Sequence, residues 1–430
     1  MTVFGICFLL IAVFLSTKST KYLFGFVIIS CIFQSASIIN IGGKGVPPYI
    51  IAELFLLLKI VFSKKNICRI TSNSFLNSFF LFVVIALSVT LFMPYIFEGI
   101  KVTIPGGKTS DETLANMQML DKLSFSSRNI IQMSFLLMNA ITLYLFYKYR
   151  EEIPKRFLTH LYLWSVSIVL IIGFWGFLNK VTNFPFPNDF FYSNIGYKQH
   201  AQTTTEFGVY RLNSTFTEPS YAGGFLSASF WGIYYSYKKY RFICIPLSLA
   251  IFLNLSSTGI ITFVFGCFML ACSSLKRMIK TMFFFILLLF IIYHTEYWEY
   301  FDLMLFGKMD TLSGMARSNS TLMSLEILSK IHYVGLGLGS HRDFSFLCNL
   351  AVSTGVIGCF VFIYSMFLLQ KYNYRCKTYN SLSSFLYHWG ILLWLALIIA
   401  LPDLSYSVLW MWVFSCVSQY NKDLNYEYRV

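Results

Sequence analysis

Long apolar stretches, separated by shorter polar segments, run from the first residues of this chain to about residue 419. Runs of roughly 15 to 25 apolar residues, without the strict two-residue alternation of a barrel strand, predict helices that cross a bilayer. Taken in order, they predict spans near 3–16, 22–41, 47–63, 77–96, 128–147, 157–180, 219–237, 242–256, 258–275, 281–293, 344–370, 384–401 and 404–419. The expected fold is all-α, a single polytopic membrane domain over residues 1–430 with about 12–13 transmembrane helices. The short pair that meets at Ser256-Ser257-Thr258-Gly259 reads either as two spans or as one broken, re-entrant segment. The opening residues carry no positive charge, so the first run reads as a retained helix and not as a signal peptide.

The polar intervals between the runs alternate in character. Basic clusters at Lys18/Lys21, 64–69, 148–156, 238–241, 276–280 and 371–377 all fall on one side of this helix count. By the positive-inside rule that side is cytoplasmic. The other side holds three longer segments, about 97–127, 183–218 and 294–343, where long loops without their own secondary structure concentrate any chemistry. Composition agrees: of 430 residues, 57% are hydrophobic, 19% aromatic and only 12% charged, which excludes a soluble domain. The net charge of +14 is spread over short inter-helix clusters, a topology signal and not a nucleic-acid surface. The ten cysteines lie mostly in apolar runs with no C-x-x-C pair, and no H-E-x-x-H or acidic metal cluster occurs, so neither metal nor cofactor is expected.

Candidate chemistry gathers in the outer segments. Residues 211–224 place Arg211, Asn213, Glu218, Ser220 and Tyr221 around Pro219, which suits the first turn of a helix and sets Glu218 beside its N-cap. A cation and a carboxylate at a membrane mouth are costly unless they have partners, so they mark either a site or an interfacial anchor. The interval 184–197 interleaves aromatic rings with Asn, Asp and Ser, as a sugar-stacking surface or a headgroup-resting loop would. Leu322, Leu325, Leu328 and Ile331 predict an amphipathic helix on the membrane surface, capped by Ser318 or Asn319, with Arg317 just before it. An Arg beside free helix N–H groups suits an anion; the alternative is a snorkelling Arg. The run Gly335 to Gly339 has neither a Walker nor a dinucleotide spacing; Gly337 and Gly339 instead permit close backbone approach and deliver His341 and Arg342 to the next helix mouth. Glu53, in the third run, is an intramembrane acid and a candidate counter-ion for an outer arginine.

The pattern Arg211-x-x-Ser-Thr-Phe-x-Glu-Pro-Ser220, the Ser256 to Gly259 turn, Arg317 before a helix, Val334-Gly-Leu-Gly-Leu-Gly339 and Thr354-Gly-Val-Ile-Gly358 together resemble the O-antigen polymerase (Wzy-type) and ligase superfamily of bacterial envelope glycosyltransferases. The likeness covers roughly residues 205 to 360; the N-terminal half agrees only in being many-spanned. It implies an inner-membrane enzyme whose site faces the periplasm and whose substrates are undecaprenyl-pyrophosphate-linked oligosaccharides, with a chain-length regulator protein as a further partner. It also implies that Arg211 and Arg317 neutralise the pyrophosphate while Glu218, or else His341, deprotonates the attacking sugar hydroxyl. The Glu-Pro-Ser form at 218–220 resembles the polymerase branch. Transfer of finished polymer to the lipid A core by a ligase is the second reading. A flippase or transporter is the third, against which the unequal clustering of charge in the second half argues.

Overall fold

The computed structural model describes residues 1–63, 73–103, 121–196, 209–272, 312–400 and 403–420, with isolated positions between 276 and 294. Its helices are α1 (Val3–Ser16), α2 (Thr20–Ser30), α3 (Pro48–Phe62), α4 (Ser74–Ile96), α5 (Ser127–Lys148), α6 (Lys155–Thr182), α7 (Asn188–Phe191), α8 (Pro219–Ser236), α9 (Cys244–Asn254), α10 (Ser257–Ala271), α11 (Leu312–Lys330), α12 (Phe346–Cys376), α13 (Ser381–Ala400) and α14 (Ser407–Gln419). The strands among the described residues form two short antiparallel ladders, β1 (Asn40–Ile41) with β2 (Lys44–Gly45) and β3 (Lys101–Val102) with β4 (Asp121–Lys122). The protein is all-α.

Five helices, α4, α5, α6, α12 and α13, are long and apolar enough to cross a membrane, while α1, α2, α10 and α14 are apolar but shorter. The expectation of 12–13 full-length spans is thus met only in part, and the span near 281–293 lies outside the described residues. The span expected over 22–41 stops at Ser30. Beyond it Ser35, Ser37 and Asn40 turn their side chains to the carbonyls of Thr215 and Ser193, at 2.8, 3.0 and 2.9 Å. Short polar side chains compete with the helical backbone in this way, and the chain leaves the helix for the β1–β2 hairpin.

Every residue of α14 is buried, including Trp410 and Trp412. It packs against α2, α5, α12 and α13, and the Tyr162 hydroxyl of α6 donates to Ser415 Oγ at 3.1 Å. A helix apolar all round belongs in an interior. Around it, α8 is wedged between α9, α10 and α13. A Cβ on Gly223 of α8 would lie 3.0 Å from the Gly259 Cα of α10 and 2.6 Å from Asn254 Oδ1, so this crossing requires glycine.

Helix α12 is broken at Gly355, where φ is 76° and ψ 164°. The break leaves the carbonyls of Val352 and Ser353 without their helical donors, and they accept the N–H groups of Leu336 (2.7 Å) and Gly337 (2.9 Å) instead. In return the Val356 N–H donates to Tyr333 O at 3.0 Å. The glycine segment 335–339 thereby lies along α12 like an added strand. Its other side is held by α4, whose Thr90 Oγ1 accepts the Leu338 N–H at 2.9 Å. It is also held by α5, where Asn129 Nδ2 donates to Leu338 O and Ser340 Oγ, both at 2.8 Å.

Two readings of the third outer segment are corrected. Helix α11 begins at Leu312, so Arg317 sits inside it and not ahead of its N-terminus; Met315, Ala316 and Arg317 are good helix formers and nothing interrupts them. Its apolar face is also shifted: Leu322 and Leu325 are exposed, while Met323, Ile327, Leu328 and Ile331 are buried against Val102, Leu123, Leu336 and Val352. The segment therefore packs on the protein through that face.

The break yields a test with an internal control. A Cβ at Gly355 would lie 2.2 Å from Val334 O, whereas Gly99, also at positive φ (87°), has open space around it. Gly99→Ala is expected to cost only the left-handed penalty of about 1–2 kcal/mol. Gly355→Ala is expected to cost a further ~1–3 kcal/mol from overlap. Equal thermal midpoints for the two purified variants would contradict the interlock.

Candidate functional site

Helix α9 ends with Leu255 in the left-handed conformation (φ 48°), which presents its last carbonyls to the turn before α10. Arg211 fills that position: Nη2 donates to Leu255 O at 3.0 Å and Nε to Asn254 O at 3.4 Å. A cation here also complements the negative end of the helix dipole. The segment is stitched down on both sides, because Asn254 Nδ2 donates to Leu212 O (2.6 Å) and the Leu212 N–H to Leu253 O (3.0 Å). Lys180, in the last turn of α6, donates Nζ to Arg211 O at 2.7 Å, and the two cations repel one another.

Pro219 is the first residue of α8, as the sequence predicts, and Glu218, expected beside the N-cap, is the N-cap itself. The carboxylate is half-buried, and Ser220 Oγ donates to its Oε2 at 3.2 Å. Asn213 is buried, and its Oδ1 has no partner among the described residues. Tyr221 is interior: its ring meets Tyr406 edge-on at 5.2 Å, and the Tyr406 hydroxyl donates to its carbonyl. That contact ties the start of α8 to the turn before α14. The aromatic interval packs on α6 and on itself, Phe186 lying 5.2 Å from Trp175 of α6 and 5.4 Å from Phe191 between ring centroids.

The second assembly centres on His341. The ring is buried, with Nε2 2.8 Å from Ser324 Oγ of α11 and Nδ1 3.1 Å from Thr103 Oγ1. Ser324 donates its proton to Asp343 Oδ2, and Thr103 donates its own to Arg342 O at 2.5 Å. With both hydroxyl protons used, Nε2 carries the ring proton and donates to Ser324, while Nδ1 accepts from the Thr103 N–H at 3.4 Å. The serine therefore stands between the acid and the histidine, the reverse of the Ser-His-Asp order in which histidine activates the hydroxyl. Burial pushes the His341 pKa down to about 3, which makes it a weak base. Burial raises the Asp343 pKa, opposed by hydrogen bonds from Ser324 and Ser345. This cluster ties α11, the Thr103 segment and the entry to α12 together.

Gly337 and Gly339 have φ of +95° and +78° and pass against Thr90 and Arg128, so they serve the interlock described above. The guanidinium of Arg317 lies over the Phe344 ring at 5.6 Å, and the Arg342 N–H donates to Thr103 O at 2.8 Å. Glu53 does not meet an outer arginine: it is fully buried in α3, near Thr142 and Cys31.

The sequence pointed to neither Lys44, in the β1–β2 hairpin, nor Arg128, at the start of α5; burial and then the Arg128 charge lower the Lys44 pKa. Also unforeseen is a cavity of about 30 Å³ between α5, the glycine segment and α12, lined by Gln132, His341, Asn349, Ser353 and Asp403. Polar residues such as Gln132 inside an otherwise apolar run were the available signal.

The buried neutral histidine fixes a pH dependence. Its folded pKa lies below the ordinary 6.5, so its stabilisation is fully present above pH 6.5 and is lost as pH falls toward 3. In that window stability is expected to fall by up to about 1.4 kcal/mol per pH unit. Asp343, raised from 3.8, has the opposite sign: its stabilisation is present below that value and is lost as pH rises. Comparing thermal midpoints of wild type and His341→Gln from pH 7 to 5 isolates the histidine, and parallel curves would refute its neutral burial.

Set against known proteins, the chain matches no protein-family model, no curated sequence and no solved structure. Its candidate site is defined by geometry alone: Arg211 seated on the end of α9 with Lys180 beside its carbonyl, Glu218 at the start of α8, and the polar cavity beside His341.

Proposed function

We propose that the protein is a membrane glycosyltransferase that polymerises lipid-linked oligosaccharide repeat units, of the O-antigen polymerase type, working at the periplasmic face of the bacterial inner membrane. The observation that carries this reading is the fixed cation site at Arg211, whose guanidinium is seated on the carbonyls of Asn254 and Leu255 while the Lys180 ammonium, 2.7 Å from the Arg211 carbonyl, adds a second positive charge. Cations held together repel, and a doubly charged anion such as a pyrophosphate relieves that repulsion while gaining charge-assisted hydrogen bonds. Support also comes from the contacts between the segments that resemble the polymerases: Arg211 binds the carbonyls just ahead of Ser256, and the 334–339 segment locks onto the break at Gly355.

In this mechanism the hydroxyl of the incoming repeat unit's terminal sugar loses its proton to Glu218 and its oxygen attacks the anomeric carbon of the growing glycan. The bond from that carbon to the pyrophosphate oxygen breaks. Undecaprenyl pyrophosphate departs with the electron pair, and its developing charge is met by Arg211 and Lys180; Arg317, which lies over Phe344 in the other assembly, is left out of this step. Preorganised cations suit such a leaving group better than a strong acid does. Glu218 is chosen over His341 as the base because its carboxylate is half-buried and bound only lightly by Ser220, whereas both His341 nitrogens are engaged in a buried cluster.

The expected outcome is that Arg211→Ala and Glu218→Gln each reduce polymer formation on the order of 10²–10³-fold with normal insertion, Glu218→Gln keeping a thermal midpoint near that of wild type while Arg211→Ala lowers it through the lost contacts to the end of α9. The readout is the glycan ladder of a strain lacking the protein and complemented with each variant. Core carrying a single repeat unit fits a polymerase. Core with no repeat, together with accumulated lipid-linked polymer, identifies a ligase instead, and full ladders from well-inserted variants remove these residues from the chemistry.

A further inference from the structure

Glu53 has no exposed surface, and neither of its carboxylate oxygens makes a hydrogen bond among the described residues. The Thr142 hydroxyl of α5 approaches it but lies outside good hydrogen-bond geometry and has no other partner among those residues. One turn earlier on α5, Asn139 spends its amide N–H on Phe135 O at 2.7 Å and leaves Oδ1 unpartnered. Gln34 does the same, donating Nε2 to Ser407 Oγ at 3.1 Å and leaving Oε1 unpartnered. Ser407 in turn donates to the carbonyl of Cys31, whose side chain lies in the field of Glu53. In this region α2, α3, α5 and α14 pack on one another.

Among the described residues, these side chains thus leave five buried oxygens without a donor: two from Glu53 and one each from Thr142, Asn139 and Gln34. Each buried acceptor left so costs about 1–3 kcal/mol. Both amides direct their N–H groups elsewhere, so the unsatisfied groups are acceptors, and a cation answers several acceptors at once. Carboxylate, hydroxyl and amide oxygens are hard ligands that select hard cations. One carboxylate offsets a single positive charge, and a divalent ion would leave an uncompensated charge in a low-dielectric interior. Two neighbouring cavities lead toward one of these residues, Asn139. The cavity beside His341 and Asp403 shares Gln132, Leu338 and Leu404 with a second, of about 10 Å³, that is lined by Asn139 and Ser405.

We propose that Glu53, Thr142, Asn139 and Gln34 form a binding site for a small monovalent cation, Na⁺, reached from the outer face through these two cavities. The site is separate from the transfer chemistry proposed above and stands whether or not that reading holds. Neutralising Glu53 with a bound ion stabilises the packing of α3 against α5, so the protein's stability becomes dependent on NaCl.

The test uses the full-length protein in detergent, with NaCl exchanged for choline chloride at constant ionic strength. The thermal midpoint of wild type is expected to rise with NaCl and not with choline chloride, whereas Glu53→Gln gives the same midpoint in both. Thr142→Val keeps the carboxylate and removes one ligand, and it is expected to need roughly tenfold more NaCl for the same shift. If Glu53→Gln does not fold, Thr142→Val and Asn139→Leu carry the comparison alone. As a second readout, modification of Glu53 by dicyclohexylcarbodiimide, located by mass spectrometry, is expected to slow several-fold in NaCl. Identical wild-type midpoints in the two salts overturn the proposal. So does a sodium response that survives in Glu53→Gln, or in Thr142→Val with Asn139→Leu, because the ion then binds elsewhere.

Discussion

The backbone pairing between the glycine segment and the broken helix α12 is the constraint on which the outer end of this protein depends. A helix interrupted in an apolar interior exposes carbonyls that water cannot reach, and such a break persists only if another backbone supplies the donors. Leu336 and Gly337 supply them, and glycines let the two backbones come close enough to do so. Once this pairing is made, the residues that follow it have no freedom left. His341 is delivered into the cluster with Ser324 and Asp343, and Arg342 is held by Thr103. α11 is then clamped by its own apolar face onto Leu336 and Val352.

A second constraint acts at the other assembly, where a helix end is put to electrostatic use. Leu255 turns α9 off in a left-handed residue, and the exposed carbonyls become the seat of the Arg211 guanidinium. The cation is thereby fixed in position by the helix itself. Lys180 beside it raises the local positive potential at a cost that an anion recovers. The same logic governs both assemblies, since in each an adjacent segment answers unsatisfied helix carbonyls, once with backbone N–H groups and once with a side chain.

Much of the helical architecture was legible in the sequence because apolar runs report burial in lipid or protein directly. The start of α8 at Pro219, with Glu218 as its cap, was legible for a local reason, the fixed φ of proline. What failed to show was whatever depended on distant partners. The break at Gly355 lies within an apolar run, where a glycine looks like any small residue, and only Val334 facing it explains its conformation. The true face of α11 is hidden in the sequence because Leu322 and Leu325 fit the helical period as well as Met323 and Ile327 do. The influence of the Arg128 charge on Lys44 depends on how a hairpin and a helix distant in the chain come to lie, and no spacing rule encodes that. His341 was visible as a candidate, but its tautomer follows from where Ser324 and Thr103 send their protons.

The interlock has a consequence for how the chain is assembled during synthesis. Its partners on α4 and α5, Thr90 and Asn129, precede the glycine segment, and α12 follows that segment immediately. The pairing can therefore close as soon as α12 leaves the ribosome, while α13 and α14 are still unmade. The enclosed helix α14 arrives last, into a chamber whose outer rim is already set, and the Tyr406 hydroxyl then reaches back to the carbonyl of Tyr221. Truncation between Cys376 and Ser407 would thus leave a rim without its centre. Helix α14 is the piece that joins α2, α5, α12 and α13 around one centre.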